Sequence, residues 1–295
     1  MKFTDSHCHL DFIEFSTHCS TLLHQCDANN INRIIVPAVN PEHWQRVLSL
    51  PEKAVNTSVK ISCCLGIHPW FLILEDNLSS KKLLLKKSSA KNLSLTFNEQ
   101  RLRRAIIDNE NNENENNLVG IGECGIDVFK AKKNTDNEQA LAENISLQQN
   151  FFDMQLRIAA ESNLPVIAHH CQSHHLILPL LKRHKLAKAG VIHAFYGSYQ
   201  QAKDYIDLGF KLGVGGTITY PRAKKTLDAI KRVPLTSLVI ETDAPAMPPI
   251  DQQGQINSPL NLKQIFQSLT NIRSESAEEI AEQLEQNVDH VFYIK

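Results

Sequence analysis

Six side chains in this sequence have the types and the placement to hold divalent cations: His7, His9, Glu123, His169, His193 and Asp243. The first two fall in Asp5-Ser6-His7-Cys8-His9, directly after a short apolar start. Residues two apart in extended backbone point to the same side, so both imidazoles can serve one ion while Cys8 turns away as a small buried spacer. An HxH pair alone is weak evidence, because polar residues are common at strand ends. The other four each follow a β-rich run. Glu123 follows Leu118-Val119-Gly120-Ile121-Gly122, whose glycines permit close backbone approach, and its two oxygens suit a bridge between two ions. His169 ends Leu164–Ala168, His193 ends Gly190–Ile192, and Asp243 sits in Val239-Ile240-Glu241-Thr242-Asp243. Imidazoles and carboxylates without thiolates suit Zn²⁺, Mn²⁺, Fe²⁺, Co²⁺ or Mg²⁺. Two such ions, roughly 3.5–4 Å apart, activate water and offset charge on the attacked centre and the leaving oxygen. Asp243 is then placed to orient that water and take its proton, which makes Asp243 and Glu123 the candidate catalytic residues.

Residues so far apart in sequence need a scaffold that brings strand ends together. Candidate strands occur at 3–4, 33–39, 59–65, 118–122, 165–168, 191–193, 210–214 and 237–240. Several are continuous apolar runs, as expected of parallel strands covered by helices. Helical patterns fall between them at 17–29, 42–50, 98–108, 138–163, 173–186, 199–208 and 223–231. The 138–163 stretch is the clearest, with Leu141, Ile145, Phe152 and Leu156 at helical spacing, and 259–292 can supply one or two closing helices. The expectation is a TIM-type (β/α)₈ barrel, with allowance for distortion, as one domain over 1–295. An inserted surface segment is expected near 74–117, comprising a basic stretch with KKLLLKKSSAK, the 98–108 helix and a polar run of Asn and Glu at 109–117 that reads as a mobile loop.

Composition narrows the classes further. Lys and Arg number 31 against 32 Asp and Glu, for a net charge of -1, so no global field draws the chain to nucleic acid or lipid. A cleft holding cations can still attract phosphate locally. The seven cysteines include no CxxC pair, and no apolar run is long enough to span a membrane. With a charged, histidine-bearing N-terminus, this points to a cytoplasmic protein without a disulfide scaffold, a membrane partner or an obligate protein partner. Gly213-Val214-Gly215-Gly216 lacks the spacing of a nucleotide cradle and reads as a close turn beneath the site.

Read in order, DSHCHLDF at 5–12, GIHPW at 66–70, GIGECGID at 120–127, LPVIAHH at 164–170, IHAFYGS at 192–198, KLGVGGTITYPRA at 211–223 and ETDAPAMP at 241–248 resemble the TatD family of metal-dependent deoxyribonucleases, and within it the YjjV-like branch. The resemblance spans nearly the whole chain. It implies that His7 and His9 bind a first metal, completed by Asp243, and that Glu123 bridges to a second held by His169 and His193. It also implies hydrolysis of DNA phosphodiesters by metal-activated water, 3′ to 5′ from a single strand or exposed 3′ end, with Mg²⁺ or Mn²⁺ in function and Zn²⁺ as another occupant. His68 matches a family histidine facing substrate, and Arg222 is a second candidate for phosphate contact. One departure weakens the carry-over: family members commonly follow the histidine at 169 with Ser-Arg or Cys-Arg, where this chain has His170-Cys171-Gln172. The alternative is a two-metal hydrolase of an amide, ester or small phosphoester.

Overall fold

The computed structural model describes residues 1–72, 87–111 and 117–292, the side chains of 87–94 excepted. Eight parallel strands form one sheet in sequence order: β1 (Phe3–Asp5), β2 (Ile31–Pro37), β3 (Lys60–Leu65), β4 (Leu118–Asp127), β5 (Val166–Cys171), β6 (Gly190–Ile192), β7 (Lys211–Val214) and β8 (Leu238–Ile240). The connecting helices are α1 (Cys19–Ala28), α2 (Trp44–Leu48), α3 (Lys87–Glu110), α4 (Val128–Lys133), α5 (Glu138–Glu161), α6 (His174–His184), α7 (Tyr199–Ile206) and α8 (Lys224–Arg232), followed by α9 (Leu262–Ile272) and α10 (Ala277–Phe292). This is the expected (β/α)₈ barrel, distorted where its first and last strands meet. No ladder joins β1 to β8. Their C-terminal ends are instead laced by Ser6 N–H to the Ile240 carbonyl at 3.0 Å and Asp243 N–H to the His7 carbonyl at 2.9 Å. Asp5 accepts from the Thr242 amide at 2.9 Å and the Thr242 hydroxyl at 2.5 Å. Burial pushes the Asp5 carboxyl up to about 7 against the pull of the Thr242 hydrogen bonds.

The barrel interior is apolar. Ile35, Cys64, Ile167, Val191 and Val239, from five strands, pack with Val288, Val291 and Phe292 of α10. Thr4 and Arg33 both hydrogen-bond Glu285 of α10, so that helix closes the N-terminal end of the barrel and leaves the C-terminal end for chemistry. All seven cysteines are free thiols, six of them buried.

Two elements differ from the sequence reading in ways that matter for the site. Strand β4 runs to Asp127, five residues beyond the expected end at Gly122. Past Leu65 it loses β3 but keeps β5, pairing Cys124 with Ala168 and Gly125 with His169. Gly122 takes a φ of +147°, where a Cβ would lie 2.7 Å from the Ile167 carbonyl oxygen. That glycine lets the strand bend and continue. Helix α4 was not expected at all, since six residues are too few to show an apolar period. Its start is set by Asp127, whose Oδ1 accepts from the Lys130 amide at 2.7 Å.

The segment expected as a surface insertion carries α3, which buries Leu102 and Ile106 and packs against α5. The Asn/Glu run begins inside that helix: Asn109 is buried and accepts from the Leu118 amide at 3.3 Å. Most of KKLLLKKSSAK and residues 112–116 of the polar run lie outside the described residues. Helix α5 is capped by the Asn137 side chain on the Ala140 amide and buries Phe151, Phe152, Leu156 and Ile158. Two buried glutamines a heptad apart on α5 serve the site directly. Gln155 bonds both the amide and the carbonyl of Ile67, and Gln148 does the same for Asp127. Each primary amide satisfies both backbone groups of one residue, fixing Ile67 beside His68 and Asp127 against His169. Phe152→Ala should cost about 3–5 kcal/mol through the cavity it opens. Phe97→Ala, on the half-exposed face of α3, should stay within about 0.5 kcal/mol. Urea midpoints at constant m-value would check the contrast, and equal losses would refute this account of the core.

Candidate metal centre

Each strand end delivers its side chain to one point. His7 and His9 follow β1, Glu123 and His169 lie inside the prolonged β4 and β5, His193 follows β6, and Asp243 lies beyond β8 with a left-handed φ of +57°. Left-handed backbone is uncommon outside glycine, asparagine and aspartate, and here it turns the carboxylate back over the barrel mouth. Glu123 sits at the centre, 3% exposed. Its Oε2 faces Nε2 of His7 at 3.2 Å and of His9 at 3.3 Å. Its Oε1 faces Nδ1 of His169 at 2.9 Å, Nε2 of His193 at 3.2 Å and Nε2 of His68 at 3.2 Å. Asp243 Oδ1 lies 3.5 Å from Nε2 of both His7 and His9.

These spacings are those of ligands around an ion. Donor atoms about 2.0–2.1 Å from a common metal stand about 3.0–3.4 Å from one another. The ring nitrogens of His7 and His9 also approach each other at 3.2 Å, pointing at the same place. The residue sets His7–His9–Asp243, His7–Glu123–His193 and His68–Glu123–His169 could each hold a cation. The last set is disfavoured by proton placement. His68 Nδ1 accepts the Trp70 amide at 3.1 Å, and burial pushes the ring down to about 4, so at neutral pH its one proton sits on Nε2 and is donated to Glu123. That makes His68 a hydrogen-bond donor at the pocket wall, not a ligand.

Outer partners orient three of the other rings. His9 Nδ1 meets the Pro37 carbonyl at 3.1 Å, His193 Nδ1 meets Glu241 Oε1 at 3.2 Å, and His169 Nε2 meets Asp127 Oδ2 at 3.3 Å. Each leaves the opposite nitrogen facing Glu123, the arrangement that fixes the tautomer of metal-binding histidines. Glu241 and Asp127 went unnoticed in the sequence. Asp127 stands four residues from Glu123 in the same strand, an even spacing that is a weak signal, whereas Glu241 and Asp243 lie beyond β8 where strand parity no longer applies. Gly213 makes room for Glu241, since a Cβ there would lie 2.3 Å from Oε2; it lies within β7, so this glycine serves packing beneath the site and not the expected turn.

The charges balance mutually. Burial alone would protonate Glu123, but His68, His193 and His7 hold its carboxyl well below the usual range. Asp243 is likewise held low against burial, chiefly by the hydrogen bond from His9. Burial works against a charged His9, yet Asp243 and Glu123 lift it to about 10. His193 and His169 are also raised against burial, the first by the charges of Glu123 and Glu241, the second by hydrogen bonds to Asp127 and Glu123. His7 is lowered, by burial and then by His193.

Other sequence candidates fall elsewhere. Arg222 is exposed, its guanidinium 4.9 Å from the centre of the Tyr220 ring, and does not line the metal pocket. Cys8 points away from the site, towards the Ala244 carbonyl, and Cys171 is half-buried on β5. His170 stacks on Phe195, His174 pairs with Asp204, and His175 is exposed. The pocket over this imidazole and carboxylate cluster has a volume of about 150 Å³, with Phe12, Val39, Trp70, Phe71 and Pro245 among its walls.

Parallel barrels that gather imidazoles and carboxylates at the C-terminal ends of their strands make up a class of metal-dependent hydrolases, and fold and side chains together put this chain in it. The family described as TatD related DNase matches residues 4–293, and the chain belongs to that family. It is 37% identical over 293 residues to the uncharacterized metal-dependent hydrolase YjjV of Escherichia coli K12, covering 99% of this chain and 98% of that one. An uncharacterized metal-dependent hydrolase of Haemophilus influenzae is 34% identical, with 99% and 100% covered. The crystal structure of the E. coli YjjV protein, described as a TatD homolog, superposes with a TM-score of 0.80 over 99% of this chain and 98% of that one. A TatD-family hydrolase from Entamoeba histolytica, 18% identical with 99% and 98% covered, shares the fold at a TM-score of 0.76. No helix among the described residues is long and apolar enough to cross a membrane.

Two outcomes are expected. Ligation requires imidazole nitrogens to be free of protons, and His9, His169 and His193 hold theirs to higher pH than free histidine. Cation binding should therefore release protons at neutral pH and tighten as pH rises. Calorimetry of Mn²⁺ or Zn²⁺ binding in buffers of different ionisation enthalpy measures this, and identical heats would refute it. Glu241→Gln keeps the shape but removes the charge behind His193, and should weaken one cation's binding by about 10–100-fold. Affinity equal to that of the unaltered protein would remove Glu241 from the centre.

Proposed function

We propose that this chain, acting as one domain, is a metal-dependent deoxyribonuclease that trims an accessible DNA strand, 3′ to 5′ from an exposed end. The observation that carries the reading is the placement of Glu123 between two imidazole sets, one oxygen turned to each. His7, His9 and Asp243 would hold one cation and His169 and His193 the second, with Glu123 serving both. Mg²⁺ or Mn²⁺ suits function, and Zn²⁺ fits the same nitrogens. Such ions, when bound, supply Lewis acidity for water activation and for charge on a phosphodiester.

The chain's own residues do the rest. Asp243 lines the pocket with an ionised carboxylate, so it can orient an incoming water and accept its proton. The protonated Nε2 of neutral His68 can turn from Glu123 to a non-bridging phosphate oxygen. Glu123 stays ionised throughout and keeps both imidazole sets in register. Phe12, Phe71 and Pro245 limit water around the reacting group. Arg222 would have to approach from outside the pocket to hold a phosphate, and His68 is the better placed of the two contacts.

The missing arginine supports a second reading. Cys171 offers no cationic fork, and a pocket of about 150 Å³ also admits a small ester, amide or phosphoester. The test is turnover of end-labelled single-stranded DNA after chelation and reloading with Mg²⁺ or Mn²⁺, with Glu123→Ala in parallel. Progressive shortening from the 3′ end, reduced at least about 1000-fold in Glu123→Ala, is the expected result. An intact ladder from metal-loaded protein that turns over small esters would favour the second reading.

A further inference from the structure

Outside the metal pocket, the surface that follows β4 has an unusual composition. Helix α4 reads Val128-Phe129-Lys130-Ala131-Lys132-Lys133, with three lysines and no acid in six residues, in a chain whose net charge is -1. Val128 and Ala131 are buried, which turns Phe129, Lys132 and Lys133 to solvent. Phe129 is 47% exposed, and Trp70, at the lip of the metal pocket, is 54% exposed. Each ring carries a lysine ammonium: Lys130 lies 4.6 Å from the Trp70 ring centre and Lys133 5.2 Å from that of Phe129.

This surface is joined to the site through one carboxylate. Asp127 accepts from the Trp70 indole at 2.7 Å and from the Lys130 amide at 2.7 Å, and faces His169 Nε2 at 3.3 Å. A single buried anion therefore sets the indole, the start of α4 and a candidate metal ligand in fixed relation. Large rings left in water and paired with cations have a direct use. Bases stack on the rings with little regard to sequence, and phosphates meet the ammonium groups.

We propose that Trp70 and α4 form a track for the single-stranded DNA leading into the metal pocket. Trp70 and Phe129 stack successive bases, and Lys130, Lys132 and Lys133 hold the phosphates between them. The track supplies cationic contacts that the pocket, with no lysine or arginine among its described walls, does not. The inference rests on the nuclease reading above and adds where the strand lies.

The experiment compares KM for oligodeoxythymidylates from two to twelve nucleotides, using Mn²⁺-loaded protein. Three exposed variants are tested: Phe129→Ala, Phe129→Tyr and the double Lys132→Ala/Lys133→Ala. A second double variant, Lys2→Glu/Lys60→Glu, changes charge at the opposite end of the barrel. Phe129→Ala and the lysine variant should raise KM for the twelve-mer about tenfold, with the penalty shrinking as the substrate shortens. Phe129→Tyr should restore it. The lysine variant should also flatten the salt dependence of KM, by roughly 0.7 in log–log slope per lysine removed. A length-independent or absent effect, with DNA still degraded, would overturn the track and leave the nuclease reading standing. Failure of metal-loaded, unaltered protein to cleave any oligonucleotide would overturn both.

Discussion

The carboxylate of Glu123 is the constraint on which the rest of the structure depends. It is a buried anion near the axis of an apolar barrel, and five imidazoles approach its two oxygens. A lone carboxylate so placed would take up a proton, because burial strongly disfavours its charge. The imidazoles keep it ionised, and it lifts His9, His169 and His193 in return. Partners on the outer nitrogens hold such a cluster in place. The Pro37 carbonyl, Asp127 and Glu241 fill that role for three of the rings.

The barrel's irregularities follow from this demand. Strand β4 bends at Gly122 and runs on to Asp127, putting Glu123 in mid-strand and Asp127 under His169. Between β1 and β8 the ladder gives way to side-chain and loop hydrogen bonds through Asp5 and Thr242, which frees His7, His9 and Asp243 to turn inward. Gln148 and Gln155 of α5 satisfy backbone that a regular barrel would have paired with a strand. Regularity is given up where donors must converge, and polar side chains take up backbone groups there. At the opposite end α10 closes on apolar strand residues, and its buried Asn287 donates to the Leu235 and Leu238 carbonyls where β8 begins.

Catalytic reach and substrate reach use different parts of the fold. The pocket walls are apolar and narrow, suited to one reacting group and little water. Anything longer than that group must lie on the rim. The rim residues Trp70 and Lys130 are tied to the centre by the same carboxylate that orients His169, so the rim and the imidazole cluster share one anchor.

The sequence by itself determined the strand–helix alternation, the barrel class and the six converging donors. Those features depend on local apolar runs and on residue types at their ends, both visible along a chain. His7 and His9 were legible because parity in extended backbone is a one-dimensional rule, and Glu123, His169, His193 and Asp243 because strand C-termini share one face. Only the tertiary structure decided the rest. Glu241 and Asp127 acquire meaning only when the barrel closes and places each carboxylate against an imidazole from another strand. The tautomer of His68 depends on a backbone amide two residues on, at a turn whose geometry no pattern reveals. Helix α4 is too short for periodicity, so its start had to come from a side-chain hydrogen bond. Patterns along the chain report which groups are available; distances between chain-remote atoms decide which of them act on one another.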